Sequence, residues 1–490
     1  MRPLLALVAA GALLAACGTR LPDRSFPSPG TVTVTQLPGG SAGTATAAPT
    51  ATGTAGPGGS SQQQGTAGGI ASPPPGSGVT NGKPNTASDV GVTPTTITLG
   101  QIVSRSNPFD PKAFVGPLYG AAAFVADLNS RGGINGRTVR LVTCDDHGDA
   151  SRNTSCAHSL IDSSRVFALV SQSIFSYGGA SYVQSKAVPD VGSQPIDTVY
   201  DRWSHLWDIY GETYPRNGTV GYNGKLIGGT EVYQYFKKRF GGALKAGVVY
   251  YNVADSERFG KSIATGLRAE GYAVVEKQIN FALPDYDSAV LDMKSQGVKY
   301  VYDSLDTGGN VSLCRAMDAD GLSSQVTAKV TTTQGWVDSI KGDYADSPGC
   351  RNKLWATGND LNYDDTGRPQ VKRFRDAMAR LHLDGTDQLS EWALEGWAGA
   401  QWLTDAMRSC GSSLTRRCVE AYMGSGKPYT AGGLLTARSF KKIPVRKTVY
   451  TCINVARWQD SADGGHGGWV SQVADMNKNC FDAKQISYEP

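Results

Sequence analysis

Twice along this chain, short apolar runs alternate with helical stripes, and that alternation restricts the fold more than any other feature. Ile97, Leu99, Ile102 and Val103 predict a buried strand. Leu118, Ala121, Ala122, Val125 and Leu128 then recur at helical spacing until Gly132-Gly133 stop the helix. Asn135-Gly136 turns the chain into a strand over 138–143, followed by a helix over 151–163, a strand over 166–170, a helix over 178–185 and a strand at 188–191. The rhythm restarts with Tyr222, Leu226, Gly229, Tyr233, Phe236 and Phe240, which predict one helix. Strands over 246–251, 273–275, 299–302 and 326–331 follow, separated by a helix carrying Phe259, Ile263 and Leu267 and by helices over 286–295 and 309–320. Such βαβ repetition requires parallel sheets with right-handed crossovers. The expected fold is therefore α/β, with two doubly wound parallel-sheet lobes and a ligand cleft between them. Helices over 369–381 and 389–407, then strand-like stretches at 447–458 and 468–474, can cover both lobes and imply repeated chain crossings. The expected division is 93–212 plus 357–446 for lobe 1, and 213–356 plus 447–490 for lobe 2.

What precedes residue 93 has a different character. Met1-Arg2-Pro3 and the apolar run Leu4 to Ala16 are too short to cross a bilayer of about 30 Å and read as an export signal over 1–16. Leu14-Ala15-Ala16-Cys17-Gly18 resembles the bacterial lipobox, which implies lipidation of Cys17 and an extracytoplasmic, lipid-anchored protein. From Ser25 to Gly82 there is no charged residue or histidine, and Ala, Gly, Pro, Ser, Thr and Gln dominate. Such a segment cannot offset its ordering entropy, so residues 17–92 are expected to form a disordered linker with a reach of roughly 45 Å. The net charge of +4 and the 18% charged residues, with no dense Lys/Arg run, give no reason to expect a nucleic-acid partner.

Nine cysteines minus Cys17 leave eight: Cys144, Cys156, Cys314, Cys350, Cys410, Cys418, Cys452 and Cys480. With no C-x-x-C among them and an export signal ahead, they read as disulfides, and sequential pairing is the simplest of the 105 arrangements.

In open parallel sheets, ligands bind beyond the carboxyl ends of the strands. Those ends here are 104–114, 171–177 and 192–197 in the first lobe, and 252–259, 303–309 and 331–336 in the second. Hydroxyls, amides, aromatics and a few carboxylates dominate them, the composition of a cleft that holds a small polar solute.

Leu128-Asn129-Ser130-Arg131-Gly132-Gly133-Ile134-Asn135-Gly136-Arg137 is very similar to the glycine signature of the branched-chain amino-acid (leucine-binding-protein-like) type of ABC-transporter solute-binding protein. Asp145-Asp146 with Asp149, Leu160-Ile161 with 166–170, and Phe259-Gly260 continue the resemblance. It implies a type I periplasmic-binding fold with three crossovers and a cleft that shuts on its ligand. At matching positions it implies ligand contacts from Ser173 to Tyr177, from Gln194 to Asp197 and from Phe259. The family commonly has an acidic residue near Gln334, and glutamine there suits an amide, urea-like or hydroxylated ligand. Asp306 is then the carboxylate available to an amino-acid ammonium. Asp145, Asp146 and His147 read as a strand end and helix cap and not as a metal site, and Trp392, Trp397 and Trp402 read as helix packing. No phosphate-loop, dinucleotide, nucleophile-elbow or zinc-protease motif is present. The expectation is a non-enzymatic, monomeric component of an ABC importer that carries an amino acid or amide-like solute to a membrane permease, with no cofactor and no metal. A lipid-anchored sensing subunit for a membrane receptor and, more remotely, a secreted hydrolase are the alternatives.

Overall fold

Eight-residue strands flanked by amphipathic helices organise the first lobe. The computed structural model describes residues 83–490 apart from 108–113, 194–195, 212–213, 332–334 and 443, together with the strand segments Val32–Thr33 and Val79–Thr80. The expected signal segment, Cys17 and most of the expected linker lie outside the described residues. Strands β1 (Thr96–Val103), β2 (Thr138–Asp145), β3 (Ala168–Val170), β4 (Asp190–Val191) and β5 (Leu206–Trp207) pair in parallel in the order 2-1-3-4-5, and Val32–Thr33 adds antiparallel to the outer edge of β2. Helices α1 (Gly116–Ser130), α2 (Ala150–His158) and α3 (Ala180–Ser185) are the connections.

The second lobe repeats the plan. After β6 (Leu226–Gly228) and α4 (Glu231–Phe240) come β7 (Lys245–Tyr251), α5 (Ala254–Ala269), β8 (Ala273–Ile279), α6 (Tyr286–Ser295), β9 (Tyr300–Ser304), α7 (Thr307–Ala319), β10 (Ala328–Thr331) and β11 (Leu354–Gly358). The chain then returns to the first lobe as α8 (Pro369–Arg380), α9 (Glu391–Ser409) and α10 (Arg416–Met423). It crosses a third time into β12 (Thr448–Cys452), β13 (Asn454–Gln459), β14 (Gly468–Ser471), β15 (Cys480–Lys484) and β16 (Ile486–Tyr488). The second sheet runs 8-7-9-10-11-13-14, parallel up to β11 and antiparallel beyond it. The expected strand 447–458 is thus two strands: β13 extends this sheet, while β12 forms a separate ribbon with β15.

The single helix expected from Tyr222 to Phe240 is a second difference. Only Glu231–Phe240 is helical, because Gly228-Gly229 end the apolar stripe and Leu226–Gly228 pairs with Ile486–Tyr488 instead. Residues 85–92, expected to be linker, are built into the first lobe. Asn85 Nδ2 donates to Asn135 O at 2.8 Å, Arg416 N donates to Asp89 Oδ2 at 2.7 Å, and Val92 is buried.

The glycine signature has an architectural use. Gly133 (φ +69°) and Gly136 (φ +79°) take the left-handed backbone that ends α1 and turns into β2, and a Cβ on Gly133 would overlap the Arg137 carbonyl. Fully buried Arg137 then donates to the Thr93, Thr86 and Ser412 carbonyls at 2.8–3.1 Å, clamping the amino-terminal edge of the sheet, opposite the strand ends that face the cleft. The disulfides are Cys144–Cys156, Cys314–Cys350, Cys410–Cys418 and Cys452–Cys480, the sequential pairing.

Helices α1 and α9 pack most closely of all, backbone to backbone. A Cβ on Gly120 would overlap the Ala393 carbonyl, and one on Gly396 would lie 2.5 Å from Pro117 Cα. Gly120→Val is therefore expected to force the helices apart at a cost of about 3 kcal/mol or more, read as a lower midpoint in chemical denaturation. An unchanged midpoint would show that the contact is dispensable.

Candidate functional site

Each sheet reverses its strand order between its first and third strands, at β1/β3 and at β7/β9. Neighbouring crossovers leave opposite faces there, and a crevice opens beyond the carboxyl ends. Loops beyond the strand ends of the two sheets meet across the lobes, and Val115 and Gly116 after β1 share a cavity with Thr307 after β9. Arg258 at the start of α5 pairs with Asp255 and donates to Ile196 O of the first lobe at 2.5 Å. Ahead of α9, Val337 and Ser390 form a bridge, with Glu391 N donating to Trp336 O at 2.9 Å and Asp338 N donating to Leu389 O at 3.0 Å. Beside the Val337–Ser390 bridge lies a cavity of about 30 Å³ lined by Val115, Gly116, Thr307, Val337, Ser390 and Trp392, residues drawn from both lobes. That is room for a water or two.

The wall on the first-lobe side is aromatic. Phe114 lies 5.8 Å from Trp392 and edge-on to Phe175 at 6.0 Å, with Ile196 packed beside them. Trp397 and Trp402 pack within the lobe, on Phe124 and Phe374 and on Tyr429 respectively, as expected. Trp392 instead reaches the cleft, because it occupies the first turn of α9, whose amino terminus faces the second lobe.

Of the residues singled out from the sequence, Gln194 and Gln334 lie outside the described residues. Ser173 sits at the β3 end, 3% exposed, and its hydroxyl finds no protein partner among the described residues. Leaving such a group buried and unpaired costs about 1–3 kcal/mol, which marks it as a group for a solute or a water to satisfy. Tyr177 turns inward: its hydroxyl donates to Asp190 Oδ2 at 2.6 Å and accepts from Gln172 Nε2 at 2.9 Å, so its role is to brace the loop from below. Asp197 accepts from Tyr177 N and Val199 N at 3.2–3.3 Å and faces Asp255 across the cleft, where burial, and to a smaller degree the Asp197 charge, raise the Asp255 carboxyl against the lowering effect of Arg258. Phe259 is 46% exposed on α5 and has left the apolar stripe of Ile263 and Leu267. Asp306 caps α7 through Gly309 N at 2.7 Å and accepts from Tyr251 at 3.1 Å, so its carboxylate is engaged within the second lobe. Asp145, Asp146 and Asp149 serve the strand end and helix cap: Ser106 and His147 donate to the first, Gly148 and Asn153 to the second, and Arg152 N to the third.

Buried polar groups hold the loops of both lobes from beneath. Gln101 Nε2 donates to Ser171 O at 2.7 Å, Ile102 N to Gln172 Oε1 at 2.6 Å, and Ser193 Oγ to Gln172 O at 3.0 Å. In the second lobe, fully buried Lys329 pairs with Asp303 at 2.7 Å and with Asn310, whose amide donates to the Leu305 and Asp306 carbonyls. Burial lowers the lysine pKa while Asp303 opposes the shift. The sequence gives little warning of these groups, though Glu391 and Glu395, four residues apart amid Trp, Ala and Leu, are a legible oddity, since charge on an otherwise apolar helix face requires buried partners.

A sequence model of the family described as "Periplasmic binding protein" matches residues 96–465. An amino acid binding protein of Pseudomonas aeruginosa is 22% identical over 324 residues, covering 61% of this chain and 75% of the relative. Among solved structures, the fatty acid ABC transporter substrate-binding protein from Thermomonospora curvata superposes with a TM-score of 0.60 at 16% identity, covering 81% of this chain and 94% of that one. The branched-chain amino acid transporter substrate-binding protein LivJ of Streptococcus pneumoniae, in complex with isoleucine, gives 0.55 at 14% identity, with 77% and 100% covered.

Asp190 provides a test of the bracing. Burial pushes its carboxyl up to about 7, against the lowering effect of donors from Tyr177, Tyr200 and Gln172. The folded state therefore holds a proton that the unfolded chain releases near pH 4. Stability should fall as pH rises from about 4 to about 7, by up to roughly 4 kcal/mol from this group. Asp190→Asn is expected to flatten that part of a melting-temperature profile, whereas a slope identical to wild type would remove Asp190 from the account.

Proposed function

The chain belongs to the periplasmic binding protein family, and on that premise we propose that it is the extracytoplasmic solute-binding component of an ABC importer. The observation that supports this reading is one cavity lined by Val115 and Gly116 beyond β1 and by Thr307 beyond β9, at the strand-order reversals of the two sheets, with the chain crossing between the lobes three times. A solute held by both lobes favours the closed arrangement through contacts that the open one lacks, and the closed form is then the species a membrane permease accepts. The solute expected here has one polar end near Ser173 and an apolar part against Phe114, Phe175 and Trp392. An amino acid or an amide fits this description. Asp387, which lines the cleft cavity, is the carboxylate closest in role to the one expected from Asp306 for an ammonium.

Thermal-shift screening of the full chain against amino acids, amides, ureas and small aromatic acids should return a hit, worth about 2.7 kcal/mol at 100 times its Kd. Gln334→Ala and Trp392→Ala should each weaken that shift while leaving the solute-free protein folded. A shift untouched by both changes would discard this cleft as the binding site.

The lipid anchor at Cys17 belongs to the same proposal, supported by the small flanking residues Ala15, Ala16 and Gly18. Among the described residues no helix is long and apolar enough to cross a membrane. Cys17→Ser is expected to move the protein from the membrane fraction to the soluble fraction, and retention in the membrane would assign attachment elsewhere.

A further inference from the structure

A strip of cations on the surface lacks matching anions. Lys441, Lys442, Arg446 and Lys447 fall within seven residues on the approach to the third crossover. All four are exposed, and none pairs with a carboxylate among the described residues. Lys261 with Glu257 and Lys372 with Asp376 show the contrasting pattern, a cation set against a carboxylate one helical turn away. At +4 the whole chain is nearly balanced, and Pro444 and Val445 split the run into two pairs, so composition hides it.

Neighbouring segments extend the strip toward the amino-terminal segment. A Cβ on Gly426 would lie 3.4 Å from Lys441 Cβ, which puts exposed Lys427 beside the run. Gly426 follows α10, whose first turn carries exposed Arg417. At that same end of α10, Arg416 N donates to Asp89 Oδ2 and Ser88 Oγ donates to Leu414 O, so the chain that leads from Cys17 joins the folded body there. Eight residues of helix span about 12 Å, so this root and the basic run lie at the two ends of α10. Apolar groups are interleaved with the charge: Val445 is 49% exposed and Tyr450, on β12, is 71% exposed. Arg446 N donates to Gln485 Oε1 at 2.6 Å and Gln485 N to Lys447 O at 3.1 Å, which pins the run to the turn between β15 and β16. Asp482, across the ribbon from Tyr450, sets one exposed carboxylate against these cations.

We propose that this strip docks on an anionic lipid surface, so that the folded body rests against the membrane to which its amino-terminal segment is tethered. The choice of a lipid surface rests on the reading of Cys17 as the lipidated residue, whereas the strip itself does not. Long cationic side chains reach lipid phosphates while their stems lie along apolar surface, and exposed Val445 and Tyr450 suit the headgroup layer between them. Each cation near an anionic leaflet is worth about a fivefold gain in partitioning. Such a surface and a lipid chain are two weak signals that combine, because the tether keeps the strip close to the bilayer.

Vesicle flotation of the full chain carrying Cys17→Ser tests this, since any binding is then independent of lipidation. The vesicles are phosphatidylcholine alone, or phosphatidylcholine with about one-third phosphatidylglycerol. Binding to the anionic vesicles is expected to be about a hundredfold tighter than to the neutral ones, and to be lost as salt rises from about 50 to about 300 mM. Lys441→Gln, Lys442→Gln, Arg446→Gln and Lys447→Gln together should remove most of that preference without moving the melting temperature. If the fourfold variant does not fold, Lys441→Gln with Lys442→Gln should still cut the preference by about tenfold. Equal binding to both vesicle types, no binding to either, or a folded variant that binds as wild type would overturn the proposal. The solute-induced thermal shift is read without vesicles, so failure of the transport reading and failure of this one are told apart.

Discussion

Three chain segments pass between the lobes, and the bonds that join them decide what the molecule can do. Within its first turns helix α9 carries Glu391 to accept from Tyr363 N on the second crossover, Glu395 to accept from the Tyr210 hydroxyl on the first, and Trp392 toward the cleft. A rotation about the crossovers therefore moves the aromatic wall of the cleft and the buried acids together. Because interiors are close-packed, such a coupling favours discrete arrangements over continuous flexing. The backbone bridge between Val337 and Ser390 and the Arg258 contact with Ile196 are, among the described residues, bonds that an opening of the cleft would break.

Stability and site geometry are supplied by different groups in this architecture. The sheets and the α1–α9 contact hold each lobe rigid, while polar groups beneath the strand ends set the positions of the loops. Tyr177 with Asp190 does this in the first lobe, and Lys329 with Asp303 and Asn310 in the second. Ser173 stands on such a braced loop, its hydroxyl unpaired among the described residues, which is the arrangement a preorganised site requires.

The strand and helix alternation, the turn at Gly132-Gly133, the sequential disulfides and the presence of a second lobe were legible in the sequence, because each depends on local periodicity or spacing. Asp306 as a cap was legible in principle, since Asp ahead of Thr-Gly-Gly opens a helix by accepting from Gly309 N. Which way a loop side chain turns was not. Tyr177 could point to cleft or core, and the buried Asp190 that captures it sits thirteen residues on, in a two-residue strand. Trp392 was read as packing because helical spacing places a residue on a face and is silent about which end of the helix meets the other lobe. The fate of Leu226 was hidden for a similar reason: its partner strand is at the far end of the chain. Long-range pairing is where periodicity stops informing.

In the proposed function the two lobes close around a shared solute by rotation about the three crossovers. Pulsed-EPR distances between spin labels placed by Arg152→Cys and Leu291→Cys, exposed positions on opposite lobes, measure this directly. The account predicts that a solute which raises the melting temperature shifts the distribution toward a single, shorter interlobe distance. A distribution unchanged by such a solute would contradict it.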